Sequence, residues 1–479
     1  MRTSTLLLAL LTLMLILLGV MHLSTTGFFI LQGDFVCENC NLLIFTVDTL
    51  RADHSSSYGY FQKTTPIIDS LSSEGVMFMN AFSQIPHTPP SHWSIFTGLY
   101  PYKHGKFFPH DNGSRVTTLS DILRKNGYLT AAFVSSKMLE GFAEEFDYFN
   151  GRRMRKIYRG PVMKQANETT SSVLSWLENH SSEKFFLWVH YFDPHSPYKP
   201  PKAFDAYNYS DDPHYSDPRY DQKGLSGDRI RNDIAKYDGE IRFADENIGL
   251  VLNKLKELGI EDTTLVILLS DHGECFGEHN FSDFGYEENR PCIFHGKTLY
   301  DEEIHVPLII KNPKSRIRGV RIGGIVETVD LFPTILEILN VSYDLEVDGE
   351  SLLRLIRGGG RAKDYTISQT RPRKGGFAIG IRTDEWKFVM MKPAGVNLEK
   401  DIAEQEGKDL NFTENGSEGR GVKKLLFKVS EKEGRNLFEK ESEIAEELEK
   451  RLRNVISEIR GPLEIDRDTE SLLKSLGYM

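Results

Sequence analysis

Three short apolar runs, each followed by an acidic or imidazole side chain, constrain the fold of this chain more than any other feature. The runs are residues 41–47, 184–189 and 264–270, and the side chains that follow them are Asp48, His190 and Asp271. Runs of this length are typical of strands buried on both faces of a parallel sheet. Because ligands bind beyond the carboxyl ends of such strands, we expect the three side chains to lie near one site.

Helical segments alternate with these strands, so the sequence predicts an α/β fold with a mostly parallel central sheet and helices on both faces. Further strands are predicted at residues 76–82, 128–135 and 306–311, and helices at 65–73, 118–125, 228–258 and 328–339. Alternation over 377–391 and a charged helical pattern over 442–458 predict a small α+β subdomain. The predicted parts are an N-terminal apolar segment at 1–32, an α/β domain at 33–360 and a C-terminal subdomain at 361–479.

The N-terminal segment predicts a membrane anchor. Residues 6–23 are almost unbroken apolar and the run resumes at 28–31, which is about long enough to cross a bilayer. Arg2 is the only charge before the run, which favours a single-pass protein whose remaining chain lies outside the cytoplasm. A cleaved signal peptide, giving a secreted protein, is the alternative. Eight N-x-S/T sequons fit an external, glycosylated surface: Asn112, Asn167, Asn179, Asn208, Asn280, Asn340, Asn411 and Asn415.

Charge and cysteine content exclude some classes of function. The net charge of −11 argues against a nucleic-acid partner, since phosphate backbones require a basic surface. Of the four cysteines, Cys37 and Cys40 form a C-x-x-C, and Cys275 and Cys292 flank a loop. In an oxidising compartment the simplest prediction is two disulfides, 37–40 and 275–292. A zinc site made of all four cysteines is disfavoured, because the second pair lacks close spacing.

Three motifs carry groups suited to catalysis. Asp48 lies in V-D-T-L-R-A-D, and Asp271 and His272 lie in S-D-H-G-E. Oxygen and imidazole ligands suit zinc or manganese better than calcium or magnesium. The third motif, T-P-P-S-H-W-S-I-F-T-G from Thr88, predicts a stiff loop that enters a helix N-terminus, where anions bind. A hydroxyl held there beside a cation is activated as a nucleophile. Each motif alone is also explained by capping or turn residues.

Together these motifs resemble the sulfatase-like branch of the alkaline phosphatase superfamily, from Asn41 to about Ile356. N-L-L-I-F-T-V-D-T-L-R-A-D is similar to the first metal strand of the family, and S-D-H-G-E to its later metal pair. T-P-P-S-H-W-S-I-F-T-G stands in the place of the signature C-x-P-S-R followed by T-G. H-G-K-T-L-Y-D-E-E-I-H-V-P-L-I-I is similar to the segment that carries a substrate-binding lysine.

The resemblance implies a metal-dependent ester hydrolase or transferase with one divalent ion, which would be Zn, Mn, Ca or Mg. The implied metal ligands are Asp48, Thr88, Asp271 and His272, and Thr88 is also the implied nucleophile. The implied proton donor to the leaving group is His195, with His92 as the alternative. The implied substrate-binding residues are Lys297, or His295 in its place, together with Lys137 and His190. A second ion would need further ligands, which Asp193, His190 and His195 could supply only in part.

Three departures from the family pattern bear on the reaction. Thr88 is neither the Cys nor the Ser that sulfatases convert to formylglycine, His92 replaces the signature Arg, and Thr49 replaces the second Asp of a D-D pair. This favours phosphate-ester over sulfate-ester chemistry. The expected substrate is an anionic ester, such as a surface glycan or a lipid head group. The alternatives are a true sulfuric ester hydrolase that uses unmodified Thr, and an inactive glycosylated cell-surface binding protein.

Overall fold

The computed structural model describes residues 35–107, 115–151, 163–209, 227–284, 291–360, 363–370, 377–392 and 423–458. The strands of its central sheet are β1 (Asn41–Val47), β2 (Val76–Phe82), β3 (Leu129–Val134), β4 (Tyr148–Asn150), β5 (Phe185–Tyr191), β6 (Thr264–Ser270), β9 (His305–Lys311) and β10 (Val320–Glu327). Their order is β10-β2-β9-β6-β1-β5-β3-β4. All neighbours run parallel except that β9 is antiparallel to both β2 and β6. The prediction of a mostly parallel sheet is confirmed.

The central strands are buried on both faces, as their unbroken apolar sequences predict. Every residue of β1, β5 and β6 is buried. Alternate side chains of β1 enter different cores: Leu42 packs in one cluster and Leu43 in the other. A strand between two apolar layers has no solvent-facing side for polar residues, so its polar groups are displaced to its ends.

Helices cover both faces of the sheet. The α-helices are α1 (Pro66–Glu74), α2 (Thr88–Thr97), α3 (Pro101–His104), α4 (Leu119–Lys125), α5 (Ala166–His180), α6 (Gly227–Glu257), α7 (Asp301–Ile304), α8 (Leu331–Ile338), α9 (Leu353–Ile356) and α10 (Ser442–Glu458). Apolar side chains of α2, α4, α8 and α9 pack on one face, and those of α1, α5 and α6 on the other. This arrangement confirms the predicted layering.

The remaining strands form two small antiparallel sheets. One contains β11 (Thr366–Gln369), β12 (Phe377–Arg382), β13 (Trp386–Lys392) and β14 (Lys423–Lys428), in that order. Helix α10 packs against it through Ala445, Leu448 and Leu452. The other pairs β7 (Cys275–Asn280) with β8 (Pro291–Phe294). The first sheet and its helix lie within residues 361–479, where alternating strands and a charged helix were predicted.

Some predicted features lie elsewhere or outside the described residues. The apolar segment at 1–32 and the sequons at Asn112, Asn411 and Asn415 fall outside them. Among the residues that the structure does describe, no helix combines the length and apolar character needed to cross a bilayer. His190 lies within β5 rather than after it, because the ladder with β1 extends to the Val47–Tyr191 pair. The predicted helix at 328–339 begins with a 3-10 turn, Thr328–Asp330, before α8.

One of the two predicted disulfides is wrong. Cys37 and Cys40 are joined as predicted. Cys275 and Cys292 are free, buried thiols. Each thiol donates a hydrogen bond to Oε1 of Glu303, at Sγ–Oε1 distances of 3.7 and 3.5 Å. The predicted pairing of these two cysteines fails because Glu303, from α7, accepts a hydrogen bond from each thiol.

Candidate active site

Three buried side chains meet at one edge of the sheet. Asp48 follows β1, and Asp271 and His272 follow β6, with which β1 pairs in parallel. Because Val47 is the partner of Ser270, the two strands end level. The structure therefore brings the three residues together, with one potential ligand atom from each lying within 4.8 Å of the others. We call this group the central cluster.

Thr88 stands beside the central cluster. Its Oγ1 lies 3.2 Å from Nε2 of His272. The hydroxyl of Ser91, one helical turn on, donates to the carbonyl of Asp271 at 2.7 Å, which fastens α2 to the end of β6. The helix begins at Thr88 itself, so the predicted entry loop is already helical. Pro89 and Pro90 have no N–H, which limits the predicted anion binding by this helix N-terminus.

The central cluster has unused acceptors. Both carboxylate oxygens of Asp48 and Oδ2 of Asp271 are buried without a hydrogen-bond partner among the described residues. Burial and the neighbouring charge of Asp271 raise the pKa of Asp48 well above its ordinary value, and burial also raises the pKa of Asp271. Unpaired buried carboxylates are costly, and a divalent cation would remove that cost.

His272 presents one nitrogen to the same point. Its Nδ1 lies 3.0 Å from the carbonyl oxygen of Gly273, to which it donates, so Nε2 carries the free lone pair. Nε2 lies 3.5 Å from Oδ2 of Asp271 and 3.8 Å from Oδ1 of Asp48. Two carboxylates, one imidazole and the Thr88 hydroxyl form a donor set that suits a divalent ion such as zinc or manganese.

Two backbone features hold the cluster in place. A Cβ at Gly273 would lie 2.1 Å from the carbonyl oxygen of Glu302, so only glycine fits between His272 and α7. Thr49 has φ of 58°, a left-handed conformation that is strained for a β-branched residue. Its N–H donates to Oδ1 of Asp271 at 3.3 Å, and its carbonyl accepts from the Tyr237 hydroxyl at 2.7 Å. Those two bonds hold the strained turn that follows Asp48.

His92 is fully buried, and both of its ring nitrogens are engaged. The carbonyl of Thr88 can only accept, so Nδ1 of His92 donates to it at 2.8 Å. In the neutral ring Nε2 is then an acceptor, and it accepts from the Thr46 hydroxyl at 3.1 Å, whose oxygen itself accepts from Nε1 of Trp188 at 2.9 Å. Burial lowers the pKa of His92 to about 3. The predicted alternative role as a proton donor to the leaving group does not fit this neutral, enclosed imidazole.

His190, predicted to bind substrate, has no exposed surface either. Its Nε2 lies 3.5 Å from Oδ2 of Asp48, and burial lowers its pKa to about 4. His92, His190 and Asp271 also have ligand atoms within 4.8 Å of one another. Because His92 uses both nitrogens in hydrogen bonds, this second group does not make a complete metal site.

The other side of the cluster carries two partly exposed imidazoles. The ring of His295 lies 4.3 Å from that of His272 and 5.0 Å from that of His195, centroid to centroid. The Nδ1 of His195 donates to the carbonyl of Ser196 at 2.6 Å, which leaves Nε2 for a substrate. Burial lowers the pKa of His195, and the negative charge of Asp48 opposes that shift.

Glu274 and Tyr198 form a support that sequence analysis did not identify. Oε1 of Glu274 accepts from Nδ1 of His295 at 2.8 Å, and Oε2 accepts from the Tyr198 hydroxyl at 3.0 Å. Burial raises the pKa of Glu274 to about 7. The signal was present in the sequence, since Glu274 closes the S-D-H-G-E motif and Tyr198 closes H-Y-F-D-P-H-S-P-Y.

Three other predicted residues make contacts with groups outside the central cluster. The Nζ of Lys297 sits 4.6 Å above the ring of Phe281, whereas the ring of His295 adjoins that of His272. Lys137 is the first residue of a 3-10 helix that follows β3, and it is half-buried. Asp193 accepts from the N–H of Ala166 at 2.8 Å and so binds the start of α5.

Comparisons with known proteins agree with this geometry. A family model described as Sulfatase matches residues 40–341, and one described as N-sulphoglucosamine sulphohydrolase, C-terminal, matches residues 291–399. An ulvan-active sulfatase of Formosa agariphila is 26% identical over 390 residues, covering 73% of this chain and 72% of the relative.

Two solved structures share the fold. The phosphonate monoester hydrolase of Agrobacterium radiobacter has a TM-score of 0.69 at 18% identity, covering 88% of this chain and 96% of that one. BT4656, solved in complex with its substrate D-glucosamine-2-N,6-O-disulfate, has a TM-score of 0.64 at 19% identity, covering 88% and 97% of the two chains.

Proposed function

Since the chain belongs to the sulfatase family, whose members hydrolyse esters, we propose that it cleaves a phosphate ester with unmodified Thr88 as the nucleophile. The observation that carries this proposal is the position of the Thr88 hydroxyl, 3.2 Å from Nε2 of His272 at the edge of the central cluster. A nucleophilic hydroxyl needs an adjacent base or cation for activation, and the unused acceptors of the cluster provide a place for a cation.

The identity of residue 88 favours phosphorus over sulfur. The formylglycine of sulfatases is an aldehyde, and its hydrate has two hydroxyl groups. Once one of them is esterified, the other can expel the transferred group by breaking a C–O bond. Threonine has only one hydroxyl, so water must attack the transferred atom itself. In-line displacement at phosphorus, with developing charge offset by a metal and cations, satisfies that requirement in both steps. The shared fold with a phosphonate monoester hydrolase supports this choice.

Each residue then has a defined part in the reaction. Asp48, Asp271, His272 and Thr88 would hold one divalent ion, which when bound would acidify the Thr88 hydroxyl and polarise the ester. The Thr88 hydroxyl gives up its proton to solvent, Oγ1 attacks phosphorus, and the bond from phosphorus to the leaving oxygen breaks. His195, which enters this step as the imidazolium, donates its Nε2 proton to that oxygen. The same nitrogen then accepts a proton from the water that releases phosphate from Thr88.

The side of the site that carries the partly exposed His195 and His295, which we call the open side, determines which substrate binds. His295, held by Glu274, contributes an imidazole beside His272 that can donate to a phosphate oxygen. We propose that Lys297 and Lys137 add positive charge near this side, and that the substrate is an anionic ester carried on a sugar or a lipid head group. The sulfated sugar bound by BT4656 supports a sugar as the carrier of the ester.

Hydrolysis of a sulfate ester by unmodified Thr88 is the second candidate. It is favoured by the family model and by the ulvan-active relative. The two candidates differ in the atom that Thr88 attacks, and they use the same residues.

A substrate panel separates the candidates. The full chain is assayed with 4-nitrophenyl phosphate, bis-4-nitrophenyl phosphate, a 4-nitrophenyl phosphonate and 4-nitrophenyl sulfate, each with Zn, Mn, Ca or Mg, beside Thr88→Ala. We expect turnover of at least one phosphorus ester in wild type only, together with mass-spectrometric evidence for an unmodified threonine. Turnover of the sulfate alone would select the second candidate, and equal turnover by Thr88→Ala would reject both.

A further inference from the structure

A second group of ligand-type side chains lies outside the central cluster. Cys275 on β7, Cys292 on β8 and Glu303 on α7 are all fully buried, and one ligand atom from each lies within 4.8 Å of the others. We call them the thiol cluster. A tetrahedral zinc ion, with Zn–S of about 2.3 Å and Zn–O of about 2.1 Å, separates its sulfur and oxygen ligands by about 3.6 Å. The two Sγ–Oε1 distances are 3.7 and 3.5 Å.

The carboxylate of the thiol cluster is held in a fixed orientation. The N–H of Gly296 donates to Oε2 of Glu303 at 2.6 Å, and the Thr298 hydroxyl donates to Oε1. Oε1 therefore stays turned toward both sulfurs, as outer partners orient the ligands of metal sites. No ion pair to Glu303 exists within the described ranges, so this buried carboxylate has no side-chain cation to offset its charge.

From this geometry we propose that Cys275, Cys292 and Glu303 bind a zinc ion. Two sulfurs and one oxygen match the preference of zinc and disfavour magnesium and calcium. On binding, each thiol loses its proton to solvent, so two thiolates and one carboxylate neutralise the ion with one negative charge in excess. A water or the Thr298 hydroxyl fills the fourth tetrahedral position.

Such an ion would stabilise the open side of the active site. Cys275 directly follows Glu274, and Gly296, whose N–H holds Glu303, directly follows His295. Both members of the Glu274–His295 pair are therefore next in sequence to residues that form or hold the thiol cluster. The ion would connect β7, β8 and α7 at the base of that pair. Its role is structural, because the thiol cluster is fully buried.

Cobalt substitution tests the proposal separately from catalysis. The full chain is reduced, stripped of metal, and titrated with Co²⁺ while near-ultraviolet absorption is recorded. The central cluster contains only oxygen and nitrogen ligands, so a thiolate-to-cobalt charge-transfer band cannot arise there. The other possible source is the reduced pair Cys37 and Cys40, which the control variant removes. We expect a band that saturates at one equivalent per chain and is abolished by added Zn²⁺.

Variants identify the ligands. Cys275→Ser and Cys292→Ser should each lose at least half of the band intensity, whereas the double variant Cys37→Ser/Cys40→Ser, which alters the other cysteine pair, should retain it. Absence of the band in reduced wild-type protein would overturn the proposal. A Cys275–Cys292 disulfide that resists reduction, found by mass spectrometry, would also overturn it.

Discussion

The two sides of Asp271 contain the same kinds of residue and serve different purposes. On the open side, carboxylate oxygens of Asp48 and Asp271 are left unpaired beside the hydrogen-bonded pair of Thr88 and His272. On the closed side, both ring nitrogens of His92 are hydrogen-bonded, to the carbonyl of Thr88 and the hydroxyl of Thr46. The two hydrogen bonds of His92 therefore mark it as a support, and the unpaired carboxylate oxygens mark the open side as the place for an ion and a substrate.

The largest difference between the sides is expected at the nucleophile. Thr88→Ala removes the attacking oxygen and should lower kcat by at least about 10³-fold. Thr88→Ser keeps a hydroxyl at the same point and serves as the matched control, with activity nearer that of wild type. Steady-state kinetics on the best ester of the panel measure both. Residual activity of Thr88→Ala within tenfold of wild type would remove Thr88 from the mechanism.

Metal affinity should separate the two histidines that flank Asp271. His272→Ala removes a ligand and should weaken binding of the activating ion by at least about 100-fold, since even outer partners are worth about 10–100-fold. His92→Ala should weaken it by less than His272→Ala does, because both of its nitrogens bond to other protein groups. Calorimetric titration of the chelator-treated variants with the activating ion measures the difference in affinity between them. Equal losses in the two variants would contradict the distinction between open and closed sides.

The choice of leaving group should distinguish His195 from His92. A general acid contributes about 10²–10⁴-fold when the leaving oxygen is basic, and much less when it is a nitrophenolate. His195→Ala should therefore lose far more activity on an alkyl ester than on the nitrophenyl ester. His92→Ala should lose activity by about the same factor on both esters, and by less than His195→Ala loses on the alkyl ester, because His92 acts only by positioning Thr88. The ratio of kcat values for the two esters is the measurement.

The smallest expected effect is on stability rather than activity, and it concerns an unpaired carboxylate outside the active site, that of Glu240. Oε1 of Glu240 accepts from the N–H of Lys199 at 2.6 Å, but Oε2 is buried without a partner among the described residues. Burial raises the pKa of Glu240 from 4.5 to about 9. Because the folded pKa is the higher one, the stability contributed by protonated Glu240 is complete below pH 4.5 and is lost as the pH rises toward 9.

Glu240→Gln should therefore gain stability relative to wild type as the pH rises through that window, by a few degrees in Tm. Exposed Glu246→Gln on the same helix is the control, and its Tm should follow that of wild type at every pH. Thermal unfolding followed by circular dichroism between pH 5 and 9 measures the effect. A constant difference in Tm between Glu240→Gln and wild type across that range would show that an unpaired buried oxygen here is not a cost.

Much of the fold was predictable because burial leaves a direct trace in sequence. The strand at 264–270 and the helix at 442–458 match their predictions residue for residue. The meeting of Asp48 with Asp271 and His272 follows from strand ends alone. The antiparallel direction of β9 leaves no such trace, since hydropathy is the same in either direction.

Side-chain roles were harder to predict than side-chain positions. His92 lies four residues after Thr88, so their proximity on α2 was expected, but the hydrogen bonds that engage both ring nitrogens depend on Thr46 and Trp188 from other strands. Cys275 and Cys292 lie close together, as their predicted disulfide required, but both thiols donate to Glu303 and are not joined to each other. In each case the deciding partner is distant in sequence.

The direction of β9 has an evolutionary consequence. Because β6 and β9 are antiparallel neighbours, the chain leaves the sheet after Ser270 and returns at His305 along the same edge. Residues 271–304 are thus a cassette whose two ends are anchored side by side. Descendants of such a protein can change the length of this segment without disturbing the pairing of β6 with β9. Divergence in substrate preference is therefore expected to accumulate between these two anchors, while the sheet beneath stays constant.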